Sequence, residues 1–375
     1  MREAKIEAFG VERWFNKYEF EVDVNIAESG VQPFTLSEIL EMSDEDISRL
    51  KLGYGDSGGS RELRELVSQT YREKEWRNIL ITTGGLEANF LVYNTLLREG
   101  DEVIVETPNY QQLESVPRFL GAKVTPWKLR EENDYAPDLD ELTEIVSPRT
   151  RMIVINHPHN PTGSVIDNKT LRGICEIAED NHAFLLSDEV YLDLKLVDYR
   201  VDAASDTSSN AISVQSLSKS YGLPGARIGW ISASREIVER CHEFREYVTL
   251  CNNTLGERLA VIALRNRRRI MKRNKRIIWR NFDIIKNWIN RHEELSWVPP
   301  RAGVVAFPRY TLPLRSEELC RRLVEEEKVL IIPGALFGDE ETEYHFRVGF
   351  GYETESLREG LSRLDNFFEK LRQQG

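Results

Sequence analysis

Short apolar, β-branched runs recur through the first two thirds of the chain, at Ile79–Thr82, Glu102–Glu106, Arg151–Asn156, Ala183–Ser187, Ala211–Gln215 and Arg227–Ile231. Longer amphipathic stretches separate the earlier ones, notably Leu86–Arg98 and Lys169–Asn181. In the second of these, Leu171, Ile174, Cys175 and Ala178 fall at i, i+3, i+4 and i+7, the spacing of one buried helical face. Strands alternating with helices predict βαβ units and a mainly parallel sheet covered on both sides, over about residues 50–250. After Ile231 the texture changes. A long helical stretch runs from about Ser234 to Trp288, broken near Cys251–Thr254. Short strands follow near Gly303–Phe307, Val329–Ile332 and Phe346–Gly349, and a last helix starts at Glu355. The expected division is a large α/β domain over 46–250, with 1–45 and 251–375 forming a smaller α+β domain joined by the long helix.

Composition narrows the class. Hydrophobic residues make up 41% of the 375, enough for large cores. Acidic side chains outnumber basic ones by 62 to 50, a net charge of −12, which argues against nucleic-acid binding. The basic run Arg265–Arg280 does not reverse this: Ile270, Ile277, Ile278 and Phe282 keep helical spacing within and beyond it, so it predicts a helix with a solvated basic face. Cys175, Cys241, Cys251 and Cys320 lie far apart, with no CxxC pair, and suit reduced thiols. No stretch approaches the ~18 apolar residues of a membrane span. The opening MREAKIEAFGVERWF lacks the apolar core of a signal peptide, so a soluble, cytoplasmic protein is expected.

In an open parallel sheet, ligands bind beyond the carboxyl ends of the strands. Each predicted strand here ends in chemistry. Thr83-Gly84-Gly85-Leu86 follows the first and opens a helix. Thr107-Pro108-Asn109-Tyr110 follows the second, and His157-Pro158-His159-Asn160-Pro161-Thr162-Gly163 the third. The fourth leads into Asp188-Glu189-Val190-Tyr191 and the fifth into Ser216-Leu217-Ser218-Lys219. A phosphate cradle, an aromatic ring, an amide, a carboxylate and a lysine would share one rim.

These five groups suit pyridoxal 5'-phosphate. Backbone N–H groups at a glycine-rich helix start bind a phosphate dianion. A lysine forms a Schiff base with the aldehyde. A carboxylate facing the pyridine nitrogen keeps it protonated, so that the ring accepts electrons from a substrate carbanion. An aromatic side chain stacks on the ring, and an amide and a phenol hydrogen-bond its hydroxyl. His157 and His159 have no third ligand in view, and structural hydrogen bonding accounts for them better than a metal.

The runs SLSKSYGLPGARIGW (Ser216–Trp230), NHPHNPTG (Asn156–Gly163) and SDEVY (Ser187–Tyr191) resemble the class I/II aminotransferases of fold type I over nearly the whole chain. The resemblance implies a seven-stranded-type sheet and Lys219 as the Schiff-base lysine. It implies Asp188 at the pyridine nitrogen, Asn160 and Tyr191 at the ring oxygen, and Tyr110 stacked on the ring. Gly84, Gly85 and Leu86 would cradle the phosphate, with Ser216, Ser218 and Arg227. Leu86 stands where many relatives carry a hydroxyl residue, so one side-chain contact is expected to be missing. Tyr54, in YGDSGGSRELRE, resembles a tyrosine that reaches the neighbouring subunit's phosphate, which implies a homodimer. Arg347, in FRVGF, resembles the arginine that binds the substrate α-carboxylate, beside Asn160. IAESGVQP only loosely resembles the family's glycine-containing substrate loop.

Trp14-Phe15, APDLD (Ala136–Asp140) and AFPRY (Ala306–Tyr310) are closer to a subgroup of capreomycidine synthase-like enzymes, which cyclise a hydroxyarginine. Two reactions therefore stay open: transamination between an L-amino acid and a 2-oxo acid, and a lyase or cyclase reaction on the same cofactor. A noncatalytic regulator reusing the fold is disfavoured by the negative charge and the absence of an appended helix-turn-helix.

Overall fold

The computed structural model describes residues 6–374; the first five residues of the expected small domain, and Gly375, lie outside that range. Seven strands form one sheet: β1 (Ile79–Thr82), β2 (Glu102–Thr107), β3 (Lys123–Lys128), β4 (Thr150–Asn156), β5 (Phe184–Asp188), β6 (Ala211–Ser216) and β7 (Gly229–Ser232). Their spatial order is β1-β7-β6-β5-β4-β2-β3. All pairs from β6 to β3 are parallel, and only β7 runs antiparallel, to both β1 and β6. The chain leaves β2 for the edge strand β3, then returns to β4 and proceeds the other way. That reversal places a crevice at the carboxyl ends of β2 and β4.

Strands buried on both faces carry nearly continuous apolar sequence. Met152 and Val154 of β4 share a core with Leu91, Val92 and Leu96 of the helix Gly85–Leu96. Ile153 and Ile155 point to the other face and share a core with Leu171, Ile174, Cys175 and Ala178 of the helix Asn168–Asp180. Each fully buried Val, Leu, Ile or Met side chain among them contributes about 1.5–3 kcal/mol.

Several elements differ from expectation. β3 was not anticipated: its LysValThrProTrpLys sequence is polar, contains Pro126 and is largely accessible, because an edge strand pairs on one side only. The last sheet strand starts at Gly229 rather than Arg227, because Arg227 sits at φ +52°, a left-handed conformation that cannot extend a strand. The long helical stretch is three helices, Arg235–Arg245, Thr254–Arg265 and Arg267–Ile289. The second break falls at Asn266, whose Nδ2 donates to Met42 and Ile262 carbonyls.

In the helix Arg267–Ile289, Ile270 and Ile278 are fully buried while Arg268, Arg269, Lys272, Lys275, Arg276 and Arg280 are exposed, the solvated basic face that the spacing predicts. The C-terminal part packs around Ile285, Trp288, Phe346, Val348, Phe367 and Phe368. The predicted run Val329–Ile332 is split: Val329–Leu330 pairs in parallel with Val24–Asn25, and Ile332–Pro333 joins Phe346–Gly349 in another sheet. Among the described residues no helix is long and apolar enough to cross a membrane.

Candidate active site

The carboxyl ends of the sheet strands open into one cavity of about 210 Å³. Gly85, Leu86, Tyr110, Asn160, Asp188, Tyr191, Ser216, Ser218, Lys219 and Arg227 all line it. The segments that carry them are spread over more than a hundred residues of sequence, from Gly85 to Arg227, and the strand order brings them together. Asn156 of β4 lies opposite Asp188 of β5, and Ser216 of β6 opposite Gly229 of β7.

One end of the cavity is built for a phosphate. Gly84, at φ +84°, turns the chain from β1 into the helix Gly85–Leu96, whose first turn has no side-chain cap. Its leading N–H groups therefore remain available to an anion. Arg227 donates from Nη1 to Ser218 Oγ (3.4 Å) and the Pro224 carbonyl (3.0 Å), and from Nη2 to the Thr83 carbonyl (3.4 Å), which fixes the guanidinium over the cradle. A Cβ on Gly84 would lie 2.6 Å from Arg227 Nη2, so only glycine admits this approach. Gly229 is equally constrained, since a Cβ there would lie 2.6 Å from the Gly84 carbonyl carbon and 2.8 Å from Gly85 N. Leu86 brings no hydroxyl, as expected, and is 40% exposed.

Asp188 closes the far end. It is 8% exposed and forms no ion pair among the described residues. Burial raises its pKa, opposed by hydrogen bonds from Asn89 and the Val190 N–H and by the charge of Lys219. Asn89 Nδ2 donates to Asp188 Oδ2 at 3.0 Å. A buried carboxylate lacking a cation fits a protonated pyridine nitrogen, and the uncapped cradle at the other end fits a phosphate. Pyridoxal phosphate therefore suits the residues present.

Lys219 stands between these ends, its Nζ donating to Ser29 Oγ at 2.8 Å. Asn160 is held by its backbone N–H donating to Asn156 Oδ1 (2.7 Å) and accepts from Arg347 Nη1 on its own Oδ1 (3.0 Å). Arg347 is 1% exposed; its Nη2 donates to the Ala27 carbonyl (3.0 Å), the guanidinium lies 4.9 Å from the Phe337 ring centre, and Nε has no partner. Burial lowers the Arg347 pKa, against nearby Tyr191, Glu28, Tyr110 and Glu12. Tyr110 is braced from the N-terminal segment: its hydroxyl donates to Glu12 Oε1 (2.8 Å) and its ring lies 4.9 Å from that of Phe9.

Arg347 lines an adjoining cavity of about 170 Å³, which also has Lys219, Ser29 and Tyr110 on its wall. Glu12, Glu19 and Glu28 line it too. Tyr54 does not join the site of its own chain: it is 90% exposed. His157 Nδ1 accepts from the Ile166 N–H (3.2 Å) and His159 Nδ1 meets Thr162 Oγ1 (2.8 Å). Burial pulls their pKa values down to about 3 and about 4, and no group of three His, Cys, Asp or Glu able to hold a metal occurs among the described residues. All four cysteines are free thiols.

Sequence reasoning missed Ser29, Asn89, Gln112 and Asn156, all on the cavity wall. Asn156 is a strand's last residue and Asn89 a polar residue on an apolar helix face, two signals that could have marked them. Ser29 lies in the loosely matching IAESGVQP, where only the fold shows its neighbour.

A cradle for phosphate, a buried carboxylate and a lysine between them, on this strand order, define a pyridoxal-phosphate-dependent enzyme of fold type I. Residues 23–364 match the family described as aminotransferase class I and II, and the chain belongs to that family. It is 32% identical to a capreomycidine synthase from Streptomyces vinaceus, over 94% of this chain and 92% of that one. An aspartate aminotransferase of Pyrococcus horikoshii is 30% identical, over 84% of this chain and 83% of its own. Among solved structures, a PLP-dependent aminotransferase from Streptococcus suis superposes with a TM-score of 0.93 at 35% identity, covering 98% and 99% of the two chains. The PLP-dependent cyclase OrfR superposes with a TM-score of 0.90 at 29% identity, covering 100% of both.

Proposed function

We propose that the protein is a cytoplasmic, homodimeric aminotransferase that moves the amino group of an L-amino acid with a cationic side chain to a 2-oxo acid. The observation that carries this is that Glu12, Glu19 and Glu28 line one cavity with Lys219 and Arg347. The Arg347 guanidinium, with Nε unpaired, binds the α-carboxylate, and Asn160 keeps it aimed. Three glutamates on the same wall give the space around the bound substrate a negative lining. An amine or guanidinium is attracted there, whereas an aspartate side chain meets like charge. Pyridoxal phosphate, held by Gly85, Leu86, Ser216, Ser218 and Arg227 and by Asp188, supplies an aldehyde for the amine and an electron-accepting ring. Lys219 Nζ takes the proton from the substrate Cα and returns one as general acid, with Ser29 holding the amine in place. Burial raises the Asp188 pKa, and hydrogen bonds from Asn89 and the Val190 N–H, with the charge of Lys219, oppose that rise.

Spectral conversion of the bound cofactor to its amine form, followed across a panel of amino donors, tests this. Arginine, ornithine and lysine are expected to convert it at least about tenfold more efficiently than aspartate, the factor that ~1.4 kcal/mol of discrimination supplies. Faster conversion by aspartate overturns it. A second function, cyclase or lyase, is favoured by the likeness to capreomycidine synthase and to OrfR. Its signature is ring formation or ammonia release from a cationic amino acid without conversion of the cofactor.

A further inference from the structure

Asn89 is an amide buried where its helix otherwise presents apolar side chains. It is 1% exposed, among Ala88, Leu91, Val92, Tyr93 and Leu96 of the helix Gly85–Leu96. Its Oδ1 has no partner. A leucine would fill such a slot without leaving a buried acceptor unsatisfied, which is destabilising. The other half of the amide is fully engaged: Nδ2 lies 3.0 Å from Asp188 Oδ2 and 3.3 Å from Gln112 Oε1. Gln112 Nε2 in turn donates to the Leu86 carbonyl at 2.7 Å, in the phosphate cradle. The orientation is forced, because a carbonyl turned to Asp188 would face a carboxylate. One line of amides therefore joins the cradle to the carboxylate at the opposite end of the cavity.

We propose that Asn89, held in orientation by Gln112, is a positioning residue that fixes the Asp188 carboxylate against the cofactor's pyridine nitrogen and so keeps that nitrogen protonated. This rests on the placement of Asp188 above. Asp188 has two outside donors, Asn89 on Oδ2 and the Val190 N–H on Oδ1 at the longer distance of 3.3 Å. Asn89 is thus the nearer of the two, and the only one that a side-chain substitution removes. Without it, Oδ2 loses its donor in a site where water is largely excluded, and the carboxylate holds a proton more strongly. The proton shared with the pyridine nitrogen then moves toward Asp188.

The test is nitrogen-15 resonance of labelled pyridoxal phosphate bound to the holoenzyme, followed across pH, for wild type, Asn89→Leu and Asn89→His. In wild type the pyridine nitrogen is expected to be protonated throughout the stable range. In Asn89→Leu its resonance moves toward the neutral position, kcat falls about ten- to a hundredfold, the worth of one hydrogen bond to a charged group, and KM stays nearly constant. Asn89→His, which keeps a donor, restores much of both. Gln112→Met gives a smaller shift of the same sign and serves as the second variant if Asn89→Leu does not fold. A protonated wild type with an unmoved resonance in Asn89→Leu, or in Gln112→Met where that stands in, overturns the proposal alone. A wild-type nitrogen that is already neutral overturns the role of Asp188, and this proposal with it.

Discussion

Lys219 shows what one residue carries and what its neighbours add. An isolated lysine is a solvated cation; here the amine is half-buried and its proton is directed at Ser29 Oγ, 2.8 Å away. In the general acid–base role proposed for it, such a residue is worth about a hundred- to ten-thousandfold in rate. Lys219→Ala is expected to lose at least that factor in single-turnover conversion of an amino donor while still retaining cofactor through the cradle and Asp188. A normal rate in that variant would place the base elsewhere. That Lys219, Asp188, Asn160 and Tyr191 meet at one cavity was legible in sequence, because each follows a strand within a dense run of family-like residues. Asn89 and Ser29 were not, since their significance is a distance to another segment.

At the scale of elements, the carboxyl ends of the strands gather groups whose ionisation depends on burial. Glu106 ends the apolar part of β2 and accepts the Asn156 N–H of β4 at 2.9 Å; burial, opposed only by that hydrogen bond, pushes its pKa up to about 8. The usual carboxylate value is 4.5. Between these limits the unfolded chain is ionised and the folded one keeps its proton, so stability falls as pH rises from about 4.5 to 8 and levels off above. One such group gives a slope of at most about 1.4 kcal/mol per pH unit. Glu106→Gln, which cannot ionise, is expected to flatten the decline in denaturant midpoint between pH 5 and pH 8. An unchanged slope would mean that Glu106 is ionised in the native protein. The strands themselves were legible wherever both faces are buried, and β3 escaped because an edge strand needs no apolar pattern.

The whole molecule presents a surface that one chain leaves uncovered. Tyr54 is 90% exposed, Leu52 81% and Tyr247 92%. The loops that bear them are tied to the phosphate cradle by the fully buried Arg245. Its Nη1 donates to the Ser57 carbonyl, its Nη2 donates to Asn252 Oδ1 (2.6 Å), and its Nε lies 3.5 Å from Glu87 Oε2. Glu87 in turn accepts from the Thr83 N–H. If Tyr54 completes the site of a second copy, Lys219→Ala and Tyr54→Ala chains are each defective, yet a mixed dimer holds one complete site. Mixing them in equal amounts, after dissociation and reassociation, is expected to restore about a quarter of wild-type activity, since half of randomly formed dimers are mixed. No gain on mixing, or full activity in a monomer by sedimentation, would remove Tyr54 from the neighbour's site.

The amino-acid order alone determined the alternation of strands and helices, the cofactor chemistry at the strand ends and the family, because apolar periodicity and short motifs are local properties. Tertiary structure decided where the strand order reverses, that Arg347 reaches Asn160 across 187 residues, and that three N-terminal glutamates line one cavity with the lysine. It also decided that an amide buried in a helix donates to Asp188. Those are relations between segments remote in the chain, and only the packing of the sheet and its helices sets their distances.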